Sequence, residues 1–286
     1  MLQLVSGGLH IFGPTESMIF NFYGAIIQHQ DQPFSLSALC AMLSAFDVSA
    51  EAARVAISRM QRKGLLRSRR VGRNAYYYLS ENGWQQIGRT ETRSVYRPKA
   101  PQWDGRFQLV AYEIPENRRE LRQQLTEKLR CAGLARVGSS LWASAWSLSE
   151  AIQQFLASAE ISPFITSFSA EIQQDPRVFA RRVWQLDMIE ARHKSYLDKY
   201  RQATNAYLAA AHSDKPPSDI ECFRNYFISL NDFIETMARQ PPLPPELLPA
   251  DWPAPAVQEL YVAYRKLVHD RSDNFINTVH KPLELD

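Results

Sequence analysis

The 286-residue sequence contains no run of about eighteen apolar residues, so no transmembrane helix is expected. Its first fifteen residues hold no Lys or Arg and show no signal-peptide pattern, which predicts a cytoplasmic protein. Cysteines are few: Cys40, Cys131 and Cys222 lie far apart, which favours reduced, buried thiols over disulfides or a zinc site. The six histidines are equally scattered, so no metal site is predicted.

Motifs of the common enzyme classes are also missing. The chain has no Gly-x-Ser-x-Gly, no phosphate-binding loop, no dinucleotide fingerprint and no paired carboxylates at a known catalytic spacing. We therefore expect a protein that is not an enzyme and that needs no cofactor. A structural or RNA-binding protein is the alternative, although an RNA reader is expected to show aromatic platforms in single-strand motifs, and none is evident.

Negative charge is nearly absent from residues 49–73. This segment holds eight Lys and Arg residues and one acid, Glu51, so it carries +7. Because the whole chain carries +3, the remainder carries −4. Exposed faces usually mix charges of both signs. A basic block on a mildly acidic body therefore predicts a localised surface for a polyanion such as DNA.

Three helices are predicted before this basic block ends. Apolar spacing and breakers place them at residues 17–29, 35–46 and 49–63, and Gly64 ends the third. Each begins at a hydroxyl side chain that can serve as its N-cap: Thr15 or Ser17, then Ser35, then Ser49.

A hairpin is predicted next, over residues 68–79, with Gly72 in its turn. Because strand side chains alternate between faces, Tyr76–Tyr78 should place two rings against the core and expose one. A short helix follows near Trp84, and residues 94–105 are predicted to form a linker. Three helices followed by a hairpin is the order of a winged helix-turn-helix domain.

The third helix should have two contrasting faces. At about 100° per residue, its small and apolar side chains fall on one side: Ala53, Ala56, Ile57 and Met60. Its polar and cationic side chains fall on the other: Glu51, Arg54, Ser58, Gln61 and Arg62. The apolar face can pack closely on neighbouring helices, and the polar face suits a recognition helix in the DNA major groove.

These features predict specific contacts to DNA. Arg54 and Arg62 can donate two hydrogen bonds to guanine or bind phosphates, and Ser58 can contact either. Ser49 lies where free N–H groups at a helix N-terminus favour a phosphate. The hairpin is expected to follow the backbone or enter the minor groove. The predicted DNA-binding residues are Ser49, Arg54, Ser58, Arg59, Arg62, Arg67, Arg69, Arg70, Arg73 and Asn74.

The middle of the chain predicts a small α+β domain. A strand at 106–114, a helix at 118–131, one or two strands in 135–146, a helix at 149–159 and a strand at 163–172 follow in order. The order β-α-β-β-α-β is that of a ferredoxin-like fold.

The remainder is predicted to be helical. One long helix carries a stripe at four- and three-residue steps: Ile189, His193, Tyr196, Tyr200, Ala203 and Tyr207. Helices at 219–238 and 256–278 flank a loop that holds seven of the seventeen prolines. The predicted class is thus a multidomain α+β protein: a winged helix-turn-helix (1–95), a ferredoxin-like central domain (96–178) and an α-helical C-terminal domain for effector binding or dimerisation (179–286).

Three blocks of sequence resemble a known family. The first is VSAEAARVAISRMQRKGLL followed by RRVGRNAYYYLSENG, which would fit many winged-helix regulators. The second is WDGRFQLVAYEIPENRRELRQQL with GLARVGSSLWAS, and the third is the far more specific RQPPLPPELLPADWPAPA. In this order, over nearly the whole chain, they resemble the PaaX family, the repressors of phenylacetic acid degradation operons.

The resemblance implies a homodimeric repressor of a double-stranded DNA operator, with a central domain similar in fold to Cas2. It also implies release from DNA by an aryl-CoA, typically phenylacetyl-CoA. The chain departs from the family pattern at Gln240-Pro241, at Pro253-Ala254, and at Phe107, where a Trp is usual. A regulator that responds to a different aromatic effector is therefore an alternative.

An aryl-CoA has an apolar tip and several phosphates, so its site should pair aromatic walls with Arg or Lys. The candidates in the central region and its junction with the C-terminal helices are Trp103, Arg106, Trp142, Trp146, Arg181, Arg182 and Trp184. The Cas2-like fold raises a second alternative, a metal-dependent nuclease with Glu113 as a ligand. A single carboxylate is weak support for a two-metal site, and a structural role for Glu113 is favoured.

Overall fold

A computed structural model describes residues 13–26, 32–94 and 102–281. Most of the predicted linker at 94–105 and the last three residues of the predicted first helix lie outside these ranges. The described chain is a mixed α/β protein with helical N-terminal and C-terminal parts. None of its described helices is long and apolar enough to cross a membrane.

The described residues of the N-terminal part form four helices and three strands. In chain order they are α1 (Pro14–Ile26), β1 (Phe34–Ser35), α2 (Leu36–Ser44), α3 (Ala50–Arg62), β2 (Leu66–Val71), β3 (Asn74–Leu79) and α4 (Glu81–Ser94). The predicted N-cap of the first helix is wrong. The helix begins at Pro14, whose missing N–H costs nothing at a first helical position, so Thr15 and Ser17 lie inside it.

The predicted hairpin is present as β2 and β3, and β1 pairs with β3 to extend it into a three-stranded antiparallel sheet with the order β1-β3-β2. The sequence did not indicate β1, whose Phe34 pairs with Tyr77 and whose Ser35 pairs with Tyr76. As a result, the expectation of one exposed tyrosine ring is wrong. Tyr78 is buried, and Tyr76 and Tyr77 are half-buried.

The central part contains a four-stranded sheet and two helices. The elements are β4 (Phe107–Tyr112), α5 (Arg119–Cys131), β5 (Ala135–Arg136), β6 (Leu141–Ser144), α6 (Glu150–Leu156) and β7 (Ile165–Ala170). The chain order agrees with the predicted one, and the sheet has the order β5-β6-β4-β7 with antiparallel neighbours. Val110 and Tyr112 join Leu121, Leu125 and Ile152 in the core between the sheet and its helices.

The C-terminal part is helical. It consists of α7 (Pro176–Val183), α8 (Leu186–Ala211), α9 (Asp219–Met237) and α10 (Ala254–Val279). The predicted stripe on α8 is confirmed at its centre, where His193, Tyr196 and Tyr200 are buried. The expectation of buried cysteines is confirmed for Cys222 alone, since Cys40 is half-buried and Cys131 is exposed.

The chain forms two compact units. One combines the N-terminal elements with α9, α10 and the part of α8 after Arg192. The other contains residues 97–192 and the proline-rich segment 241–253. The division into domains at 1–95, 96–178 and 179–286 remains a prediction.

Within the second unit, the proline-rich segment packs on the central part. Arg177 Nε donates a hydrogen bond to the backbone oxygen of Glu246 at 2.9 Å. Gly133, with φ of 87°, approaches Pro242 so closely that an added Cβ would lie 2.8 Å from its Cγ. A side chain at Gly133 would therefore be excluded both by backbone conformation and by space.

Candidate nucleic-acid interface and ligand sites

Local capping chemistry sets the ends of α3. The Ser49 hydroxyl accepts a hydrogen bond from the Ala52 N–H at 3.1 Å, so the predicted N-cap is confirmed. Gly64 has φ of 68° and ends the helix, as predicted. Lys63 Nζ also donates to the buried carboxylate of Glu16 at 2.7 Å, which connects the end of α3 to α1.

The predicted division of α3 into two faces is confirmed. Ala53, Ala56, Ile57 and Met60 are buried. The residues exposed on the opposite side are Glu51, Arg54, Ser58, Arg59 and Arg62. Gln61, at the edge between the faces, donates from Nε2 to the Ser68 hydroxyl of β2 at 3.0 Å. This bond joins the exposed face of α3 to the hairpin.

The hairpin adds cations beside that face. Its turn contains Gly72 with φ of 60°, as predicted, followed by the exposed residues Arg73 and Asn74. Arg69 and Arg70 are exposed on β2. Arg67 is also exposed, but its guanidinium lies 5.3 Å from the centre of the Tyr78 ring, which is its cross-strand partner. Arg67 therefore also helps to pack the sheet.

The residues predicted to bind DNA do not include one exposed apolar residue of α3, Val55. Val55 is 44% exposed and lies between Arg54 and Ala56. An apolar side chain on a polar helix face is available for contact with a thymine methyl group. Val55 lies about 100° around the helix from Arg54, within its exposed half, so the exposure of Val55 could have been predicted from the sequence.

Several predicted effector residues meet around Phe107, which lies on the sheet face opposite to the α5 and α6 core. The Trp103 ring lies 5.1 Å from the Phe107 ring, and the Phe179 ring lies 5.0 Å from it. The Trp184 ring is 6.2 Å from Phe107. We call these four rings, Trp103, Phe107, Phe179 and Trp184, the aromatic cluster.

Arginines accompany the aromatic cluster. Arg182 places its guanidinium 5.6 Å from the centre of the Phe179 ring. Arg106 donates from Nε and Nη2 to the hydroxyl and backbone oxygen of Ser169, both at 3.0 Å. Arg181 Nε donates to Asp187 Oδ1 at 2.6 Å. Among the described residues, the buried indole N–H of Trp184 has no acceptor.

Trp142 is separated from this cluster by the sheet itself. It belongs to the core between the sheet and helices α5 and α6. Trp146, a partly buried residue just beyond β6, donates its backbone N–H to the Ser144 hydroxyl at 3.0 Å. The structure thus groups Trp103, Arg106, Arg182 and Trp184 around Phe107 and Phe179, and it does not bring Trp142 to them. Arg181 pairs with Asp187 instead.

Each unit also contains a cavity that sequence reasoning did not anticipate. In the first unit, a cavity of about 640 Å³ lies among α8, α9 and α10, with Tyr207, Ile228 and Tyr264 as apolar walls and Lys215 and Arg224 as cations. In the second unit, a cavity of about 540 Å³ lies along α5 and the turn after β5. Glu113 lines the second cavity together with three arginines.

This environment bears on the predicted alternative of a nuclease. The described residues contain no group of three or more His, Cys, Asp or Glu side chains that could hold a metal ion. Glu113 shares its cavity with the cationic side chains of Arg119, Arg122 and Arg136, which repel a metal cation. The geometry therefore does not favour a two-metal site at Glu113.

Comparison with known proteins extends these observations. Three protein-family models match the chain. They describe a PaaX-like protein (residues 14–83), the PaaX protein central Cas2-like domain (100–179) and a PaaX-like protein C-terminal domain (184–278). The chain is 25% identical to transcriptional repressor PaaX of Escherichia coli (strain K12) over 251 residues, which are 86% of this chain and 78% of that protein.

The fold is also similar to that of an uncharacterized protein from Mycobacterium tuberculosis. The TM-score is 0.58 and the sequence identity is 20%, with 91% of this chain and 97% of that chain covered. At this identity the likeness concerns the fold alone.

Proposed function

This chain belongs to the PaaX family, and from that membership we propose that it is a DNA-binding transcriptional repressor. The observation that carries the proposal is the exposed cationic face of α3 with the arginine-rich hairpin beside it. The buried alanines on the back of α3 support the same role, because they hold the helix close to the protein and leave its polar face outward.

In the proposed binding mode, the N-terminal elements act as a winged helix-turn-helix. The helix α3 enters the major groove, which is wide enough for one α-helix, and presents Arg54, Ser58 and Arg62 to base edges. Ser49 and the hairpin residues Arg69, Arg70 and Arg73 contact the backbone or the minor groove. The Gln61–Ser68 hydrogen bond supports this mode, since it keeps helix and hairpin in one arrangement.

The remaining parts complete the proposal. The central domain is ferredoxin-like, and a homodimer formed through the C-terminal helices presents two copies of α3 to an imperfect palindrome in the cytoplasm. The effector is an aryl-CoA such as phenylacetyl-CoA, which binds near the aromatic cluster and favours a dimer that no longer fits both half-sites. The partly exposed Trp103 at the edge of the cluster, the exposed Arg106 beside it and Arg182, which lies 5.6 Å from the Phe179 ring, support this region, since such a ligand needs apolar walls and cations.

Fluorescence anisotropy tests the DNA-binding proposal. The full chain is titrated with a duplex from upstream of its own gene, with a random duplex of equal length and with a single-stranded RNA. We expect the upstream duplex to bind at least about a thousandfold more tightly than the random duplex, with a steep dependence on salt. Equal affinity for all three nucleic acids would contradict the repressor assignment.

A second titration tests the effector. Phenylacetyl-CoA, benzoyl-CoA and free CoA are added to the preformed complex, and the anisotropy is followed. An aryl-CoA should release the DNA, while free CoA at the same concentration should release less. Trp184→Leu should weaken the release, whereas Trp142→Phe, a change in the core on the other face of the sheet, should leave it intact. Release that is unaffected by Trp184→Leu would place the effector elsewhere.

A further inference from the structure

The cavity along α5 has a chemistry that the proposed repressor activity does not use. Its volume is about 540 Å³, which is within the range of small-molecule sites. Three arginines line it: Arg119 and Arg122 from the first turn of α5, and Arg136 from β5. Glu113 is the only carboxylate among its lining residues, so the formal charge of the lining is +2.

The arginines keep free hydrogen-bond donors. A guanidinium has five N–H groups. Arg119 is exposed and has no hydrogen-bond partner among the described residues. Arg122 uses Nη2 for Glu116, at 2.8 Å, and Arg136 uses Nε and Nη2 for two backbone oxygens. Each therefore retains N–H groups that can bind an anion.

The turn that forms the opposite wall does not present repulsive carbonyl oxygens. The backbone oxygen of Ser139 accepts hydrogen bonds from Arg136 Nη2 at 2.8 Å and from the Tyr112 hydroxyl at 3.1 Å. The backbone oxygen of Ser140 accepts from the Tyr112 N–H at 2.9 Å. Both serines are exposed residues that line the cavity, and each has a hydroxyl donor. This wall is therefore a source of donors for an anion.

The start of α5 adds a smaller contribution of the same sign. The helix has thirteen residues, and no side chain caps its N-terminus. The helix dipole places positive potential at the end where Arg119 and Arg122 lie. A ligand with two adjacent negative groups can use this potential and the guanidinium donors together.

We infer that the cavity lined by Arg119, Arg122 and Arg136 binds a ligand with two neighbouring phosphate groups. The geometry favours a diphosphate over a single carboxylate, because arginines from two elements line one volume. Arg119 can donate two parallel bonds to one phosphate, and the remaining N–H groups of Arg122 and Arg136 can bind a second. The phosphates can come from a free diphosphate ligand or from a nucleic-acid backbone. The inference concerns a site outside α3 and the hairpin, so it can be tested without DNA.

Isothermal titration of the full chain with inorganic pyrophosphate and with ADP provides the test, with adenosine as the uncharged control. We expect submillimolar binding of both phosphates and no binding of adenosine. Arg119→Ala should weaken pyrophosphate binding about tenfold, because it removes charged hydrogen bonds. Glu113→Gln should strengthen it severalfold, since it removes the only carboxylate of the lining.

Arg130→Ala is the matched control. Arg130 lies on the same helix, pairs with Glu127 and is outside the cavity, so its loss removes one charge of α5 and no proposed contact. Equal weakening by Arg130→Ala and Arg119→Ala would overturn the inference, because general charge would then explain the binding.

A second arm identifies the source of the phosphates. The double variant Arg119→Ala/Arg122→Ala is titrated with a random duplex at several salt concentrations. If the duplex affinity and its salt dependence fall while pyrophosphate does not bind the wild type, the site holds backbone phosphates of DNA. If pyrophosphate binds and the duplex affinity is unchanged, the ligand is a free diphosphate. If neither depends on these arginines, the inference fails, and the repressor proposal is unaffected.

Discussion

Arg224 of α9 lies beside Asp47, with 3.6 Å between Nη2 and Oδ2, and Asp47 is the second residue before Ser49, the N-cap of α3. This pair connects the helical C-terminal part to the turn that precedes the proposed recognition helix. Asp47 has φ of 62°, a left-handed conformation that Asp and Asn tolerate better than other non-glycine residues. The turn therefore depends on both the backbone conformation and the charge of Asp47.

Substitutions of Asp47 should separate these two contributions. Asp47→Asn keeps the tolerance for the left-handed conformation and removes the charge, so the free energy of unfolding should fall by less than about 1 kcal/mol, as for other exposed ion pairs. Asp47→Val should cost about 1–2 kcal/mol more, because a β-branched residue is strained at this φ. Urea unfolding measures both. If Asn and Val cost the same, backbone strain does not operate at this turn.

Arg54→Ala tests base recognition. Arg54 is exposed, so its loss should leave the fold and the circular dichroism spectrum unchanged. If it donates two bonds to a guanine, operator affinity should fall by about 1–3 kcal/mol, while affinity for a random duplex changes little. Competition anisotropy with both duplexes gives the two numbers. Equal losses on both duplexes would instead assign Arg54 to a phosphate.

Val55 is expected to contact a thymine methyl. Val55→Ala should weaken operator binding about four- to fifteenfold, which corresponds to the burial of one to two methylene groups. Replacing one operator thymine at a time by uracil removes the corresponding methyl group from the DNA. One position should weaken wild-type binding by a similar factor and leave the Val55→Ala variant unaffected. Additive losses at every position would show that Val55 and a methyl group do not meet.

Arg70→Ala tests the hairpin. A residue that binds only phosphate should weaken the binding of all duplexes alike and reduce the slope of log affinity against log salt by about 1. Arg201→Ala, in which an exposed arginine of α8 is lost, is the control and should alter neither quantity. A change of sequence preference in Arg70→Ala would show that the hairpin reads bases.

His280 should make stability depend on pH. Its ring is buried, 4.7 Å from the ring of Phe34, and burial lowers the pKa of His280 below its ordinary 6.5. Below about pH 6.5 the unfolded chain therefore binds a proton that the folded chain resists, and the free energy of unfolding should fall as the pH decreases. His280→Leu should reduce this dependence in urea unfolding between pH 7.5 and 5.5. His212→Gln, at an exposed ring, should retain it.

Local features of the protein could be read from the sequence. The predictions agree with the structure for the N-caps Ser35 and Ser49, the helix end at Gly64, the hairpin turn at Gly72 and the two faces of α3. These features arise from side chains within about four residues of one another, so their physics lies within a short stretch of chain. The candidate DNA-binding residues could be proposed for the same reason.

Long-range relationships were decided by the tertiary structure. The strand β1 is only two residues long and exists because β3 supplies its partner. Trp142 and Trp184 are both buried tryptophans in the sequence's central region, yet the sheet separates one from the aromatic cluster that contains the other. Which side of a sheet a ring occupies depends on strand register and pairing, and a single sequence does not encode these locally.

The sequence by itself determined that the chain has a cationic helix with an alanine-rich back, because charge and period are properties of consecutive residues. Only the tertiary structure determined that arginines from α5 and β5 line one cavity, and that Arg224 meets Asp47 from 177 positions away along the chain. Such meetings depend on the packing of whole elements, whose free energy is distributed over many apolar contacts and is not a property of any one segment.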